Sequence, residues 1–323
     1  MVTRDEPLTV LVWHVHGSWM DAFVSGDHDY VIPVSPDGSA RGLSGRQWPQ
    51  AREVDAGDLG DLDVDLVILQ RPEELDLARQ WLGRTPGADV PAVYVEHNAP
   101  RPSAADSVHP MADRRDVVLV HVTDFNSLMW DNGSAPVRVI NHGVHDPGLL
   151  FTGEICSAAT MINEPVRRWR TVGTDLLVPL SRHVPIDVWG IGSQELDDPA
   201  LDMARVRPRG DLPAARLLPE VAPRRVYLHT ARWTSLGLSL LEAMFMGMPI
   251  VAVASTMAPL AIPAEAGVVS VDVATLGWAA EGFIADHGAA VAAGKAARDH
   301  AIGHFGIARF LEEWDRLMEE VCT

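Results

Sequence analysis

The stretch Thr234–Val253, TSLGLSLLEAMFMGMPIVAV, reads as a turn, a short helix and a buried strand. Among its almost wholly apolar residues stands one acid, Glu242. Two readings of that carboxylate are open. Ser239-x-x-Glu242 matches a capping box, in which the glutamate reaches back to the N-cap amide, worth about 0.5–2 kcal/mol. If the helix starts earlier, near Ser235 or Leu236, Glu242 is interior, beside Leu238, Phe245 and Met246 at helical spacing. A carboxylate there needs partners to offset its desolvation. Ligand hydroxyls would serve, since a hydrogen bond to a charged acceptor contributes roughly 1.5–3 kcal/mol. The small, flexible Thr234–Leu238 segment lets backbone amides approach a ligand, and the helix N-terminus that follows favours an anion such as phosphate.

Working outward, the same alternation recurs along the chain. Short apolar runs of the kind expected for parallel strands buried on both faces are LTVLVWHV, VDLVILQ, AVYVEH, VVLVHV and VRVINHG, then IDVWGIG, RVYLHTAR and PIVAVAS. Helix-like segments lie between several of them. PEELDLARQWLGR opens with acids and closes with Gly83 and Arg84, in keeping with the helix dipole. Strand and helix in alternation imply a doubly wound α/β sheet. The 323 residues exceed the usual size of one core, so two such domains are expected, 1–152 and 153–303. The turn-rich HDPGLLFTG marks their junction. The tail 304–323 continues a helical stretch from Gly294, with an apolar stripe of Phe305, Phe310, Leu311, Trp314 and Leu317, and is expected to pack back on the N-terminal domain.

Composition excludes several classes. With 47% hydrophobic and 22% charged residues the chain is globular rather than disordered. A formal charge of −18 repels nucleic acid, so an anionic ligand needs a local basic pocket. Cys156 and Cys322 form neither a disulfide framework nor a zinc spacing. No signal peptide is legible at the N-terminus, and no apolar run approaches the roughly 18 residues that span a bilayer. A soluble, cytoplasmic protein is the expectation. Walker, G-x-S-x-G, H-E-x-x-H and G-x-G-x-x-G patterns are absent at suitable strand exits.

In open parallel sheets ligands bind outside the carboxyl ends of strands, and with two sheets the cleft between them is the expected site. The candidates are then residues at strand exits: His14, His16 and Gly17 after the first strand, Gln70 and Arg71, Glu96 and His97, His121, Trp189 to Ser193, and Thr230 to Gly237. His14 and His16 share one face of the first strand because side chains alternate, and with Gly17 and Trp19 they could line an acceptor pocket. They could equally be half of a metal site, but no acid-rich helix or cysteine pair completes one, so no metal is expected. Arg167, Arg168 and Arg170 in NEPVRRWRTVGTDLL gain nothing from a helix N-terminus, whereas planar guanidiniums grip phosphate oxygens.

SLGLSLLEAMFMGMPIVAV resembles the signature of family 4 retaining glycosyltransferases of the GT-B fold. The agreement lies in Gly237-Leu238, Leu241-Glu242-Ala243-Met244, Gly247 and Pro249. NHGVHDPG resembles the family's Asn-Gly-Val-Asp junction, with His142 inserted, and IDVWGIGS resembles the Gly-x-Gly turn of its second domain. The resemblance implies two Rossmann-like domains facing a central cleft and transfer of a sugar from a nucleoside diphosphate donor, the co-substrate, to an acceptor hydroxyl without a metal or other cofactor. It gives Glu242 the ribose hydroxyls, and Gly190 and Gly192 the nucleobase side. The arginines, with Ser235, Gly237, Leu238 and Ser239, take the diphosphate. Thr234 and Trp233 meet the donor sugar, and His97 stands at a strand exit where the family has a sugar-contacting histidine. Two departures bear on activity: Thr234 stands where the family has a first glutamate, and Val172 where a basic residue precedes the glycine. A degenerate transferase, a GT-B-like nucleotide-sugar epimerase and a two-lobed small-molecule binding protein are the alternatives. A small soluble acceptor is weakly favoured.

Overall fold

The computed structural model describes residues 6–323. The chain divides into two compact units, one ending at Gly143 and completed by Ile307–Thr323, the other Val144–Gly306.

In the first unit the order is β1 (Thr9–Val12), α1 (Gly17–Phe23), β2 (Asp29–Val34), β3 (Ala51–Asp55), β4 (Leu66–Leu69), α2 (Glu74–Leu82), β5 (Ala92–Glu96), β6 (Val118–His121), α3 (Asp124–Met129) and β7 (Val137–Val139). Among the described residues these strands form one parallel sheet, β3-β2-β1-β4-β5-β6-β7. Alternation along each strand sends Val10, Val12, Ile68 and Val95 to one apolar layer and Leu11, Val67, Leu69 and Tyr94 to the other. α2 closes the second layer with Ala78 and Leu82 and ends at Gly83 in the left-handed conformation.

The second unit runs β8 (Ile155–Met161), α4 (Leu177–Leu180), β9 (Ile186–Trp189), β10 (Val206–Gly210), α5 (Ala214–Val221), β11 (Arg224–His229), α6 (Leu238–Phe245), β12 (Ile250–Val253), α7 (Ala258–Ala261), β13 (Gly267–Ser270), α8 (Val273–Ala285) and α9 (His287–Phe305). Its parallel sheet has the order β10-β9-β8-β11-β12-β13. Ile186, Val188, Val226 and Leu228 pack with Leu177 and Leu180 of α4 and with Leu276 and Ala280 of α8.

Two expectations are corrected here. The boundary lies at Gly143 rather than at 152, because Leu150 and Phe151 donate to the Met246 carbonyl and Thr152 to that of Ala222, tying this segment to the second unit. The helical tail is two helices: α9 stops at Phe305, Gly306 is extended, and α10 (Ile307–Cys322) begins anew. The break lets Phe305 and Phe310 serve different units. Phe310, Trp314, Leu317 and Met318 enter the first unit's core, where Trp314 meets Trp19 and Phe23 of α1 edge-on. Among the described residues no helix is long and apolar enough to cross a membrane.

Candidate active site

At the carboxyl ends of the second sheet, three loops are tied to one another. After β8 the chain makes a succession of turns from Asn163 to Gly173 before α4. This loop touches the β11 exit at several points: Arg232 and Trp233 donate to the Thr171 carbonyl, and Thr230 Oγ1 donates to that of Val172 at 2.8 Å. Gly173, at φ 74°, is required by this approach, since a Cβ there would lie 1.9 Å from the Thr230 carbonyl oxygen. The β9 exit joins from the other side. Ile191 donates to Asn163 Oδ1 at 3.0 Å, and Gly190, at φ 125°, leaves no room for a side chain against the Ile162 carbonyl. Gly190 and Gly192 thus sit beside the arginine-bearing loop.

Of the three arginines, one reaches the β11–α6 loop. Arg168 Nη2 lies 3.5 Å from Thr234 Oγ1. Arg167 pairs with Glu164 and Arg170 with Asp175, both at exposed positions. Val172 is buried and brings no charge. Thr234 is further held by its carbonyl, which accepts from Thr256 Oγ1 at 2.7 Å, and Ser235 is buried. Trp233 is half-buried beside it.

The capping-box reading of Glu242 does not hold. α6 begins at Leu238 with Gly237 as N-cap, and no side chain caps it. Ser239 is inside the helix, its hydroxyl accepting from Tyr227 at 3.1 Å and lying 3.4 Å from the Met161 carbonyl. Glu242 therefore stands half-buried more than a turn inside α6, flanked by buried Leu241 and Ala243. Its charge is felt at Tyr227, where burial chiefly, and Glu242 in addition, push the hydroxyl above its usual range. The amides of Leu238 and Ser239 head the helix. His229, the last residue of β11, packs under Gly237, and burial lowers its pKa to about 4.

In the first unit, β1 ends at Val12, so His14 and His16 lie beyond the strand and alternation does not place them together. His14 donates from Nδ1 to the Gly42 carbonyl at 3.2 Å and meets Trp48 edge-on, with Gly17 between it and Arg46. His16 instead lies 4.2 Å from the His97 ring, centroid to centroid. Trp19 packs edge-on against His97 at 5.1 Å.

His97 has a defined tautomer. The side-chain amide of buried Gln70 donates from Nε2 to the Trp13 carbonyl at 2.7 Å, which turns Oε1 toward His97 Nε2 at 3.0 Å. An amide oxygen only accepts, so His97 carries its proton on Nε2 and presents the lone pair of Nδ1. Burial, then the neighbouring His16 and His142, hold its pKa well below the ordinary value, so the ring is neutral at pH 7. Buried His142 is likewise lowered to about 4, by burial first. Gln70 and His121 were visible as strand-exit residues. His142 is legible only as an insertion in NHGVHDPG and His229 only by its type, because what sets both apart is burial. Among the described residues no group of three His, Cys, Asp or Glu side chains is arranged to hold a metal ion.

No protein-family model matches the sequence, and no curated protein matches it either. Solved structures do match. Anabaena HepE, in a crystal structure with UDP, is similar with a TM-score of 0.73 at 14% identity, covering 98% of this chain and 100% of that one. Sucrose-phosphate synthase from Thermosynechococcus elongatus follows at 0.68 and 12% identity, covering 97% of this chain and 98% of that one. S. aureus TarM is similar at 0.64 and 15% identity over 78% of this chain and 55% of its own, so this chain spans about half of TarM's length. The chain has the fold of the GT-B glycosyltransferases, two Rossmann-like domains built on parallel sheets.

Proposed function

We propose that the protein is a retaining glycosyltransferase, similar to family 4, that moves a sugar from a nucleoside diphosphate donor to an acceptor hydroxyl. The observation that carries this reading is the arrangement around α6. One arginine, Arg168, reaches Thr234 in the loop before the helix, the N-terminal amides of Leu238 and Ser239 follow, and the half-buried carboxylate of Glu242 lies beyond them. Cation and amides suit a diphosphate, and an interior carboxylate suits a pair of ribose hydroxyls. HepE, similar over nearly the whole chain, has been crystallised with UDP, with UDP and glucose, and with UDP-glucose, which favours a UDP-sugar as donor.

In this reading Glu242 holds the ribose, Arg168 and the α6 N-terminus hold the diphosphate, and Gly190 and Gly192 flank the base. Arg167 and Arg170, engaged by their own acids, contribute at most long-range charge. Thr234 and Trp233 meet the donor sugar, and His97 accepts a sugar hydroxyl at Nδ1. His14, His16 and Gly17 belong to the acceptor side. The bond from the anomeric carbon to the diphosphate oxygen breaks as the acceptor oxygen attacks the same face, and the acceptor's proton passes to the leaving phosphate. Fixed positive charge and oriented amides stabilise the leaving nucleotide, so no divalent metal is required of the site. Thr234 offers no carboxylate for the sugar, which favours, as a second reading, a protein that binds the donor and turns it over slowly.

Calorimetric titration with UDP, GDP and dTDP tests the proposal. Glu242→Gln is expected to weaken the preferred nucleotide by about 1.5–3 kcal/mol, roughly ten- to a hundredfold, with the melting temperature unchanged. Unchanged affinity would remove Glu242 from the site, and no nucleotide binding at all would remove the function.

A further inference from the structure

We propose that Arg207 and Arg209, on the edge strand β10, form with Arg224 a binding site for a phosphate-type oxyanion, built around the buried carboxylate of Asp187. The cluster plays no part in the function proposed above.

Asp187 lies on β9 and is fully buried. Four donors converge on it: Ser157 Oγ from β8 at 3.0 Å, Arg209 Nε at 2.9 Å, Arg224 Nε at 2.8 Å and Arg207 Nη2 at 3.3 Å. They occupy about the four lone-pair positions a carboxylate offers. Three guanidiniums against one carboxylate leave two positive charges that Asp187 does not neutralise. Arg224 is tucked away, 11% exposed, with its guanidinium 4.8 Å above the Trp189 ring. Arg207 and Arg209 are 37% and 38% exposed, so part of each guanidinium reaches solvent.

The carboxylate does not satisfy every donor around it. Arg207 Nε is buried 2.9 Å from Asp187 Oδ1 as an ion pair without an aligned hydrogen bond. Trp189 Nε1, in the same cluster, is buried without a hydrogen bond. Every unspent group here is a donor. Arginine and proline on an edge strand also deter pairing with another chain, which accounts for Arg207, Pro208 and Arg209 being on β10. It does not account for their convergence on a buried acid. A tetrahedral oxyanion supplies what the cluster lacks, two or more acceptor oxygens in the plane of a guanidinium fork and compensating charge. On a chain of net charge −18 this is a local positive focus.

The test is titration of the full chain with inorganic phosphate and with a sugar phosphate, at constant ionic strength in chloride. One equivalent of oxyanion is expected to bind to wild type and to Arg168→Gln alike, and at least tenfold more weakly to the double variant Arg207→Gln/Arg209→Gln. The tighter of the two ligands tells free phosphate from a phosphomonoester as the source. Arg209→Lys, which keeps the charge and loses the fork, is expected to bind severalfold more weakly and guards against misfolding of the double variant. Phosphate binding unchanged in both β10 variants, or no more effect from phosphate than from chloride, would overturn the site.

Discussion

Asp187→Ala is expected to destabilise the second domain by about 3 kcal/mol or more, among the largest effects of any polar substitution in the chain. Removing one partner of a buried ionic cluster leaves the others uncompensated, which costs about 3–5 kcal/mol where all are buried. Here Arg224 is nearly enclosed while Arg207 and Arg209 reach solvent, so the lower end of that range applies. The same asymmetry predicts that Arg209→Ala costs only about 1 kcal/mol, because Asp187 keeps three of its donors. Urea unfolding of the two variants checks both numbers. Equal small losses would mean that the carboxylate is not what holds the arginines of β10 and β11 together.

The second large effect is loss of stability in mild acid. His121 and His142 in the first domain and His229 in the second have their pKa values lowered to about 4, in each case mainly by burial. The folded values lie below the ordinary 6.5, so between these limits the unfolded chain takes up protons that the folded chain refuses. This contribution is complete above about pH 6.5 and is lost progressively as pH falls toward 4. Each pH unit in the window is worth about 1.4 kcal/mol per group, so a loss of about 5–6 kcal/mol between pH 7 and 5 is expected from the three together. Carboxylates with lowered values, such as Asp146 beside Arg298 and Asp116 beside Arg114, give way only in stronger acid. Unfolding free energies measured across pH 7.5 to 4.5 check this, with His142→Gln expected to flatten the slope. A stability that is flat from pH 6.5 to 5 would contradict neutral, buried imidazoles.

Much of the fold was legible because parallel strands buried on both faces leave a short apolar run in the chain. VILQ, VYVEH and VWGIG read as strand exits for that reason, and β4, β5 and β9 stand there. β8 left no such trace. ICSAATM carries small and polar residues, since Ser157 serves the Asp187 cluster and Ala158 and Ala159 are crowded by strands on both sides. Asp187 is inconspicuous inside an apolar strand, because its partners come from three other strands. At the site, the stretch around Glu242 was recognisable, but the choice between cap and interior turned on Gly237 being the N-cap, which leaves no side-chain signature. Likewise the three arginines near Gly173 are equivalent in sequence. Glu164, Asp175 and a threonine 66 residues away from Arg168 separate them. His14 and His16 do not share a face because β1 ends at Val12 and strand alternation stops with it.

The proposed reaction is tested most directly by incubating the full chain with UDP-, GDP- and dTDP-sugars, alone and with simple acceptor alcohols, and following release of the nucleoside diphosphate. A glycosyltransferase is expected to release it from at least one donor, with UDP-sugars favoured, faster in the presence of an acceptor and with loss of the reaction in Arg168→Gln. Donors that bind yet remain intact would support the slow, donor-binding reading of Thr234, and donors that neither bind nor turn over would contradict the account.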